Sequence, residues 1–315
     1  MTRSLAGAPR LRIAARLGRN LAMHRLRRLP VTLAIYALLT VFAFTLAYPL
    51  LYLVSTSLKS VPEYLNPLLT WIPVHPDWAN YVAAWAGLSY APAFLDTLAV
   101  ALLGALCQVA ASATIGYGLG RPRTAFRGRN LVLGLVLLTL IVPPETVIVA
   151  LYRTYVGLHW INTPWPLTLP GLFGQGLRGG LFLLLFRQVY AALPGDIEEA
   201  GQLDGAGPWR IWWSLMLPLA GPAVTVTAVL SFVWHWNAYF QPAMFLNGSF
   251  TTLPLSFASA VNAILANPAA SSFSRYNVSV IMAEAVLVTA PALIVYVAVS
   301  RLFLRSFERA GGGDL

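Results

Sequence analysis

Long apolar runs recur along this 315-residue chain, and short polar segments separate them. Five runs are nearly free of charge, and they occupy residues 31–54, 97–120, 130–152, 211–234 and 285–300. They approach or exceed the roughly 20 residues that a helix needs to cross a bilayer. A sixth run, at 165–193, is apolar but interrupted by glycine, proline, Arg178 and Arg187. The pattern predicts an all-α membrane protein with six transmembrane helices.

The distribution of basic residues predicts how these helices are oriented. The arginine-rich segments are 1–30, 120–130 and 301–309. A single basic residue each is found in 55–91, 152–164 and 241–276. Because short loops rich in Lys and Arg stay in the cytoplasm, both termini are predicted to be cytoplasmic. Topology and contact with anionic lipid then account for the net charge of +10, and nucleic-acid binding is disfavoured.

The same runs divide the chain into parts. These are a basic cytoplasmic segment at 1–30, a first transmembrane helix at 31–58, an extracytoplasmic loop at 59–91, a membrane core at 92–305 and a short cytoplasmic tail at 306–315. Two interpretations of residues 10–29 stay open, an interfacial helix and a disordered basic tail. The tryptophans of the extracytoplasmic loop are equally compatible with a partner outside the cell and with anchoring at the lipid headgroups.

The chain offers no set of groups for catalysis. Its four histidines are far apart in sequence, at His24, His75, His159 and His235, and none pairs with another at metal-ligand spacing. The lone Cys107 forms no disulfide within the chain and no cysteine metal cluster. The only lysine, Lys59, lacks the glycines of a phosphate-binding loop. We therefore expect no enzyme activity, no metal and no cofactor in this chain, so any ATP hydrolysis must come from a partner.

One polar segment, residues 194–218, interrupts the apolar pattern with the sequence PGDIEEAGQLDGAGPWRIWWSLMLP. Pro194 and Gly195 end the preceding helix, and the acids that follow favour the first turn of a new one. The DGAGP sequence ends that helix after Asp204, and Pro208 is suited to begin the next. Trp209, Trp212, Trp213 and Met216 are predicted to give the second helix an apolar face at the bilayer surface. The alternative is that the acids only keep a cytoplasmic loop soluble.

The segment resembles the EAA signature of ABC-importer permeases, in which Glu-Ala-Ala is followed by a glycine and then by Ile-x-Leu-Pro. Glu199-Ala200-Gly201, Gly205 and Leu215-Met216-Leu217-Pro218 match it in spacing, with Gly201 and Leu215 as departures. In that family the segment forms coupling helices that sit in a cleft of the ATPase subunit. The resemblance implies ATPase-coupling roles for Glu198, Glu199, Ala200, Gly201, Asp204, Gly205, Leu217 and Pro218.

Residues 92–305 are similar to the carbohydrate-importer (MalG-like) subfamily, with stretches such as IVPPETVIVALY and SVIMAEAVLVTAPALIVY. The resemblance implies the MetI-like fold of type I importers in the bacterial inner membrane, and import of a sugar or oligosaccharide. It also implies a related second permease, two ATPase subunits that bind ATP-Mg, and an extracytoplasmic solute-binding protein. The alternative is an ABC-importer permease for an amino acid, peptide or polyol phosphate. A further alternative is an autonomous secondary transporter.

Polar side chains at membrane depth are candidates for the substrate pathway, because they are costly unless they face a cavity or a partner. The candidates are Glu145, Gln175, Arg178, Asn237 and Glu284. Each also has a structural interpretation: Glu145 as a buried hydrogen-bonded acid, Glu284 as the ion-pair partner of Arg178 or Arg153. Asn237 and His235 are compatible with a position at the headgroups, and Asp96 is predicted to cap the second helix.

Overall fold

The structure is a computed structural model that describes the backbone of residues 8–311 except for 67, 69–70, 125 and 267–277. It describes side chains over residues 30–299, except in those gaps and at 144 and 264–266. Within this part of the chain all regular structure is helical and no strand occurs. The predicted all-α class is therefore confirmed.

Helix α1 comprises Ala8–Ser57, so the predicted first transmembrane helix is its second half. The predicted boundary at residue 30 is not a break, since the helix continues through Pro30. The backbone of 8–29 is therefore helical and continuous with the span. Residues 1–7, and the side chains of 8–29, lie outside the described residues.

The segment predicted to be extracytoplasmic holds two short helices, α2 (Val61–Leu65) and α3 (Ala79–Gly87), and leads into the long helix α4 (Tyr90–Gly120). Asp96 lies inside α4 and does not cap it, because the helix begins almost two turns earlier than the uncharged run. Its carboxylate instead accepts a hydrogen bond from the Thr251 backbone N–H at 3.1 Å. The prediction that Asp96 caps the second helix was therefore wrong.

The middle of the chain is broken into shorter helices. They are α5 (Arg129–Ile141), α6 (Ile148–Gly157), α7 (Trp165–Thr168), α8 (Gly179–Ala192), α9 (Asp196–Leu203), α10 (Pro208–Ile211), α11 (Leu217–Leu219) and α12 (Gly221–Trp236). The predicted third span bends by 93° between α5 and the helical segment Glu145–Gly157, which contains α6. The described chain contains three helices long and apolar enough to cross a membrane, or up to six if each bent pair is one span. Six spans remain a prediction.

The last part of the chain contains α13 (Phe240–Phe245), α14 (Leu253–Ala266) and α15 (Val278–Gly311). The predicted outer loop at 241–276 thus includes an apolar helix, whose start is held by Asp96 and Thr97 of α4. Residues 312–315 and the side chains from 300 onward lie outside the described residues, as does Arg275. The backbone is helical up to Gly311, and the short cytoplasmic tail stays a prediction.

Helix α4 is the centre of the packing. Toward one end its side chains join α12 and α15 in a cluster around Trp236, Ala101 and Val288. Toward the other end α4 joins α8 and the 208–220 segment around Phe186, Tyr190 and Met216. The second cluster fixes the acidic segment against the end of the bundle.

Candidate functional site

Helix α9 forms as its sequence predicts. It follows the Pro194-Gly195 corner and carries Asp196, Glu198 and Glu199 in its first turn. At its end the Gly205 N–H donates to the Gln202 carbonyl and the Ala206 N–H to the Gly201 carbonyl, each at 2.9 Å. This pair of bonds is a Schellman cap, and it requires the left-handed conformation that Gly205 adopts at φ 76°. The predicted helix and its glycine end are confirmed.

The inner face of α9 is anchored by a buried ion pair. Glu198 accepts charge-assisted hydrogen bonds from the Arg121 guanidinium at 2.7 and 2.9 Å, and both side chains are almost fully buried. The Tyr117 hydroxyl donates to the second carboxylate oxygen of Glu198 at 2.7 Å. Such a pair is tolerated in the interior because every charged atom has a partner. Glu198 therefore faces α4, and its side chain is not accessible to another subunit.

The remaining donors of Arg121 bind main-chain carbonyls at the end of α8. Its Nη1 donates to the carbonyls of Tyr190 and Leu193 at 3.0 and 2.6 Å, and its Nη2 reaches the Pro194 carbonyl at 3.3 Å. Carbonyls at a helix C-terminus lack partners within the helix, and they carry the negative end of its dipole. One arginine thus stabilises the end of α8 and the start of α9 together.

The outer face of α9 is exposed. Glu199 lies on it and pairs only with the exposed Arg123, at 3.2 Å. Ala200, Leu203 and Asp204 are also exposed, and the Leu203 side chain is 89% accessible. Single exposed apolar side chains are common on protein surfaces, so Leu203 alone does not identify a binding surface. The outer face of α9 is accessible to another subunit.

The second part of the segment departs from the prediction. Trp212 and Met216 are buried, whereas Trp209 and Trp213 are 69% and 59% exposed, so the four do not share one face. The backbone explains the difference, because Trp212–Met216 is a π-helical turn between α10 and α11. The wider turn rotates side chains away from the positions that an α-helix would give them.

Gly201 and the Leu-Pro end shape the contact between the two parts. A Cβ atom on Gly201 would lie 2.9 Å from Leu215 Cδ1 and 3.3 Å from Ile211 Cγ1, so the glycine lets α9 lie closely on the second part. Leu217 is half-buried and Pro218 is exposed near the 75° bend into α12. The roles predicted for these residues in coupling stay predictions.

Residues 112–310, which include this segment, match the family described as binding-protein-dependent transport system inner membrane component. The match covers more than half of the chain. The chain belongs to this family. It is an ABC transporter permease of the inner membrane, a subunit that does not itself catalyse a reaction.

Individual relatives align with nearly the whole permease. It is 26% identical to the arabinooligosaccharides transport system permease protein AraQ of Halalkalibacterium halodurans, over 85% of this chain and 92% of that protein. It is 24% identical to the lactose transport system permease protein LacG of Rhizobium radiobacter, over 89% and 95%. The sn-glycerol-3-phosphate transport system permease protein UgpE of Yersinia enterocolitica is 28% identical, over 87% and 93%.

Among solved structures the permease matches a chain of a bacterial ABC transporter involved in the import of the acidic polysaccharide alginate. The TM-score is 0.71 with 22% identity, and the match covers 88% of this chain and 97% of that one. This likeness concerns the fold, and it agrees with the predicted MetI-like architecture.

Three helix ends lie together and define one level of the bundle. The end of α5 contacts the start of α8, since a Cβ atom on Gly180 would lie 2.9 Å from Thr139 Oγ1. The start of α8 also contacts the end of α12, because the ring centroids of Phe182 and Trp234 lie 5.2 Å apart.

Four of the five predicted pathway residues occur at this level. Glu145 is exposed in the turn between α5 and α6, which contradicts its interpretation as a buried acid. Gln175 and Arg178 are exposed in the turn before α8, and Asn237 is exposed at the end of α12. The Arg178 guanidinium lies over the Trp234 ring of α12, 4.6 Å from its centroid. Their role in the pathway stays a prediction.

Glu284 differs from the other four. It is completely buried in α15, and neither carboxylate oxygen has a hydrogen-bond partner among the described residues. No ion pair within the described part of the chain joins it to Arg178 or Arg153, so that interpretation was wrong. His235 is also buried rather than at the headgroups, because its ring packs against Gly104 and its Nδ1 lies 2.7 Å from the Ser231 carbonyl.

Sequence reasoning missed Arg121 and Tyr117. Tyr117 lies in α4 and Arg121 directly follows it, far from the acidic segment in sequence. The arginine had the appearance of one more topology signal in a basic loop. The available signal was the excess of acids in 196–199 beside a predicted cytoplasmic end of α4. That signal does not specify which arginine becomes buried.

Proposed function

We propose that the permease is a subunit of an ATP-driven, binding-protein-dependent importer for a sugar or oligosaccharide. In this proposal it forms half of the translocation path with a related second permease, and two separate ATPase subunits act on its coupling segment. An extracytoplasmic solute-binding protein delivers the solute. The names of relatives that transport arabinooligosaccharides and lactose support the substrate class.

The observation that carries the proposal is the two-sided environment of α9. One face is fixed to the bundle through Glu198 and Arg121, and the other presents Glu199 and the 89% exposed Leu203. A helix that only kept a loop soluble would not need a buried ion pair. An anchored helix with an accessible face is suited to receive force from another subunit.

The level of helix breaks supports a path for an oxygen-rich solute. Broken helices within a bundle free backbone groups that can line a water-filled cavity. Glu145, Gln175 and Arg178 are exposed in the turns at this level, and their carboxylate, amide and guanidinium groups can each hydrogen-bond sugar hydroxyls. We therefore place the solute beside these turns and exclude Glu284 from direct contact in the conformation seen here.

A second substrate class, a polyol phosphate, is favoured by one feature. Arg178 has no acidic partner among the described residues, and arginine is well suited to bind phosphate. The similarity to a glycerol-3-phosphate permease adds to this candidate. Competition of neutral sugars and polyol phosphates for uptake by the reconstituted importer would separate the two classes.

Charge reversal at Glu199 tests the coupling role. The permease is co-expressed with its neighbouring transport subunits, and ATPase retention and ATP-dependent uptake in proteoliposomes are measured. Glu199→Lys should lower both by about tenfold or more, because it places a repelling charge within the docking face. The control is Arg127→Glu, a charge reversal of the same size and opposite sign at an exposed residue of the neighbouring basic loop.

The outcomes are distinct. The proposal is supported if Glu199→Lys loses ATPase retention and uptake while Arg127→Glu keeps both. Normal assembly and uptake in Glu199→Lys would contradict it. Ion- or proton-driven flux by the purified permease alone would instead support an autonomous transporter.

A further inference from the structure

Arg121 lies where three helices of the permease converge. It directly follows α4, its guanidinium binds Glu198 of α9, and it also binds the last carbonyls of α8. The chain turns by 74° between α8 and α9 at the Pro194-Gly195 corner. Since Arg121 donates to the carbonyls of Leu193 and Pro194, its side chain bridges this corner on the inside. Bonds on both sides of a corner restrict its bending.

A second, independent contact fixes α8 to α4. A Cβ atom on Gly116 would lie 2.5 Å from Phe186 Cβ, and one on Gly120 would lie 2.9 Å from the Arg187 carbonyl oxygen. Glycines spaced by four residues on one helix face let two membrane helices pack backbone to backbone. Gly118, between them, has open space around its Cβ position. The close packing is therefore confined to the face that meets α8.

The other side of the coupling segment is built differently. It reaches α12 through the π-helical turn Trp212–Met216 and a 75° bend before Gly221. No charged side chain among the described residues forms an ion pair across that bend. The segment is thus joined to α4 and α8 through a buried ion pair, and to α12 through apolar packing around Met216, Ala220 and Ala223.

We infer that Arg121 is a positioning residue that makes α9 and the adjoining ends of α4 and α8 one rigid unit. Displacement of α9 is then delivered directly to α4, a span not adjacent to α9 in sequence. Because α4 is the centre of both main clusters, its movement reaches α12 and α15 as well. This inference rests on the proposed function, since it assumes that α9 is displaced by an ATPase.

A distance measurement tests the rigid unit. Spin labels are placed at Gln202, on the exposed flank of α9, and at Gly118 of α4, in a Cys107→Ala background of the assembled importer. Electron paramagnetic resonance distances are recorded without nucleotide and with ATP in a hydrolysis-deficient ATPase. The distance should stay the same to within about 2 Å, the size of ordinary helix adjustments. A larger change on ATP binding would overturn the inference.

Glu198→Gln tests whether the ion pair matters for coupling. The substitution keeps the shape of the side chain, and it leaves the exposed face of α9 unaltered. We expect normal ATPase retention, uptake reduced by about tenfold, and loss of stimulation of ATP hydrolysis by the loaded binding protein. Uptake within about twofold of wild type in an assembled complex would overturn the inference.

If the importer with Glu198→Gln does not assemble, substitutions at two glycines of α4 test the inference instead. Gly120→Ala forces α4 and α8 apart, whereas Gly118→Ala adds the same methyl group where nothing is displaced. Only Gly120→Ala should reduce uptake. It should also broaden the distribution of distances between spin labels at Ala192 of α8 and at Gln202. Equal behaviour of the two variants would overturn the inference. Absence of ATP-driven uptake in the wild-type importer would instead contradict the proposed function itself.

Discussion

Glu198 and Glu199 are adjacent acids with opposite environments. Glu198 is buried and bound by Arg121 and Tyr117, whereas Glu199 is exposed and paired with Arg123 at the surface. The helical turn of about 100° between neighbours places one carboxylate toward α4 and the other toward solvent. Sequence reasoning assigned both to coupling, and the structure gives them different means of contributing to it.

Alanine at these two positions should affect stability very differently. Glu198→Ala leaves Arg121 buried without a counter-charge, so the free energy of unfolding should fall by about 3 to 5 kcal/mol. Glu199→Ala removes an exposed pair and should change it by at most about 1 kcal/mol. Thermal unfolding of the detergent-purified permease measures both. Similar losses at the two positions would contradict the assigned burial.

Gly205 is needed for its backbone conformation rather than for space. Gly205→Ala should destabilise the end of α9 by about 1 kcal/mol, because an L-residue is strained at φ 76°. Gly207→Ala is the matched control, since that glycine has φ −70° and open space around its Cβ position. Hydrogen exchange of the α9 amides should accelerate only in Gly205→Ala. Equal exchange in both variants would show that the cap does not limit the helix.

At the scale of elements, breaks in helices determine the functional geometry. The third and fourth spans are interrupted at Pro143 and in the turn 174–178, and both interruptions expose polar side chains at one level. Asp96 illustrates a different relation between elements. Its carboxylate lies at the start of α14, where a negative charge is favoured by the helix dipole. The sequence predicted that Asp96 caps the second helix, whereas its carboxylate binds the chain just before α14.

Cysteine labelling can locate the path among these elements. In a Cys107→Ala background, Gln175→Cys should react with a membrane-impermeant thiol reagent in the assembled importer, because a broken span lines water. Leu138→Cys, on the lipid-compatible apolar surface of α5, should stay unreactive. Protection of Gln175→Cys by transported solute would further place the solute at this level. Equal reactivity at the two positions would contradict the assignment of the path.

At the scale of the whole molecule, the charge pattern predicts orientation. The exposed arginines of the 120–130 loop lie at the same end as α9, since Arg123 pairs with Glu199 there. The outer tryptophans and α14 belong to the other end of α4. The permease thus has one basic end that carries the coupling segment and one basic-poor end.

Labelling from each side of the membrane tests this orientation. A cysteine at Gln202 should react only when the reagent reaches the cytoplasm, and one at Trp78 only from outside, because both positions are exposed at opposite ends. Intact cells and inside-out vesicles provide the two conditions. Labelling of both cysteines from the same side would overturn the predicted topology.

The sequence alone predicted much of the architecture and the location of the coupling segment. Helix-ending Pro194-Gly195, the left-handed Gly205 and the Pro208 start act through neighbouring residues, so they can be recognised locally. The π-helical turn at Trp212–Met216 could not be predicted in this way, because it depends on how the tryptophans pack against α4 and α8. The sequence also could not predict that Glu145 is exposed and Glu284 is buried, because burial depends on which other helices pack against each residue.

The sequence by itself thus determined that the permease is helical and apolar, which end is basic, and where the acidic helix begins and ends. These properties follow from composition, hydropathy and backbone preferences of residues close together in the chain. Only the tertiary structure decided that Arg121 would bind Glu198, that Gly116 and Gly120 would pack on α8, and that Asp96 would bind the Thr251 N–H just before α14. Those contacts join residues about 70 to 155 positions apart, and long-range packing alone brings them within bonding distance.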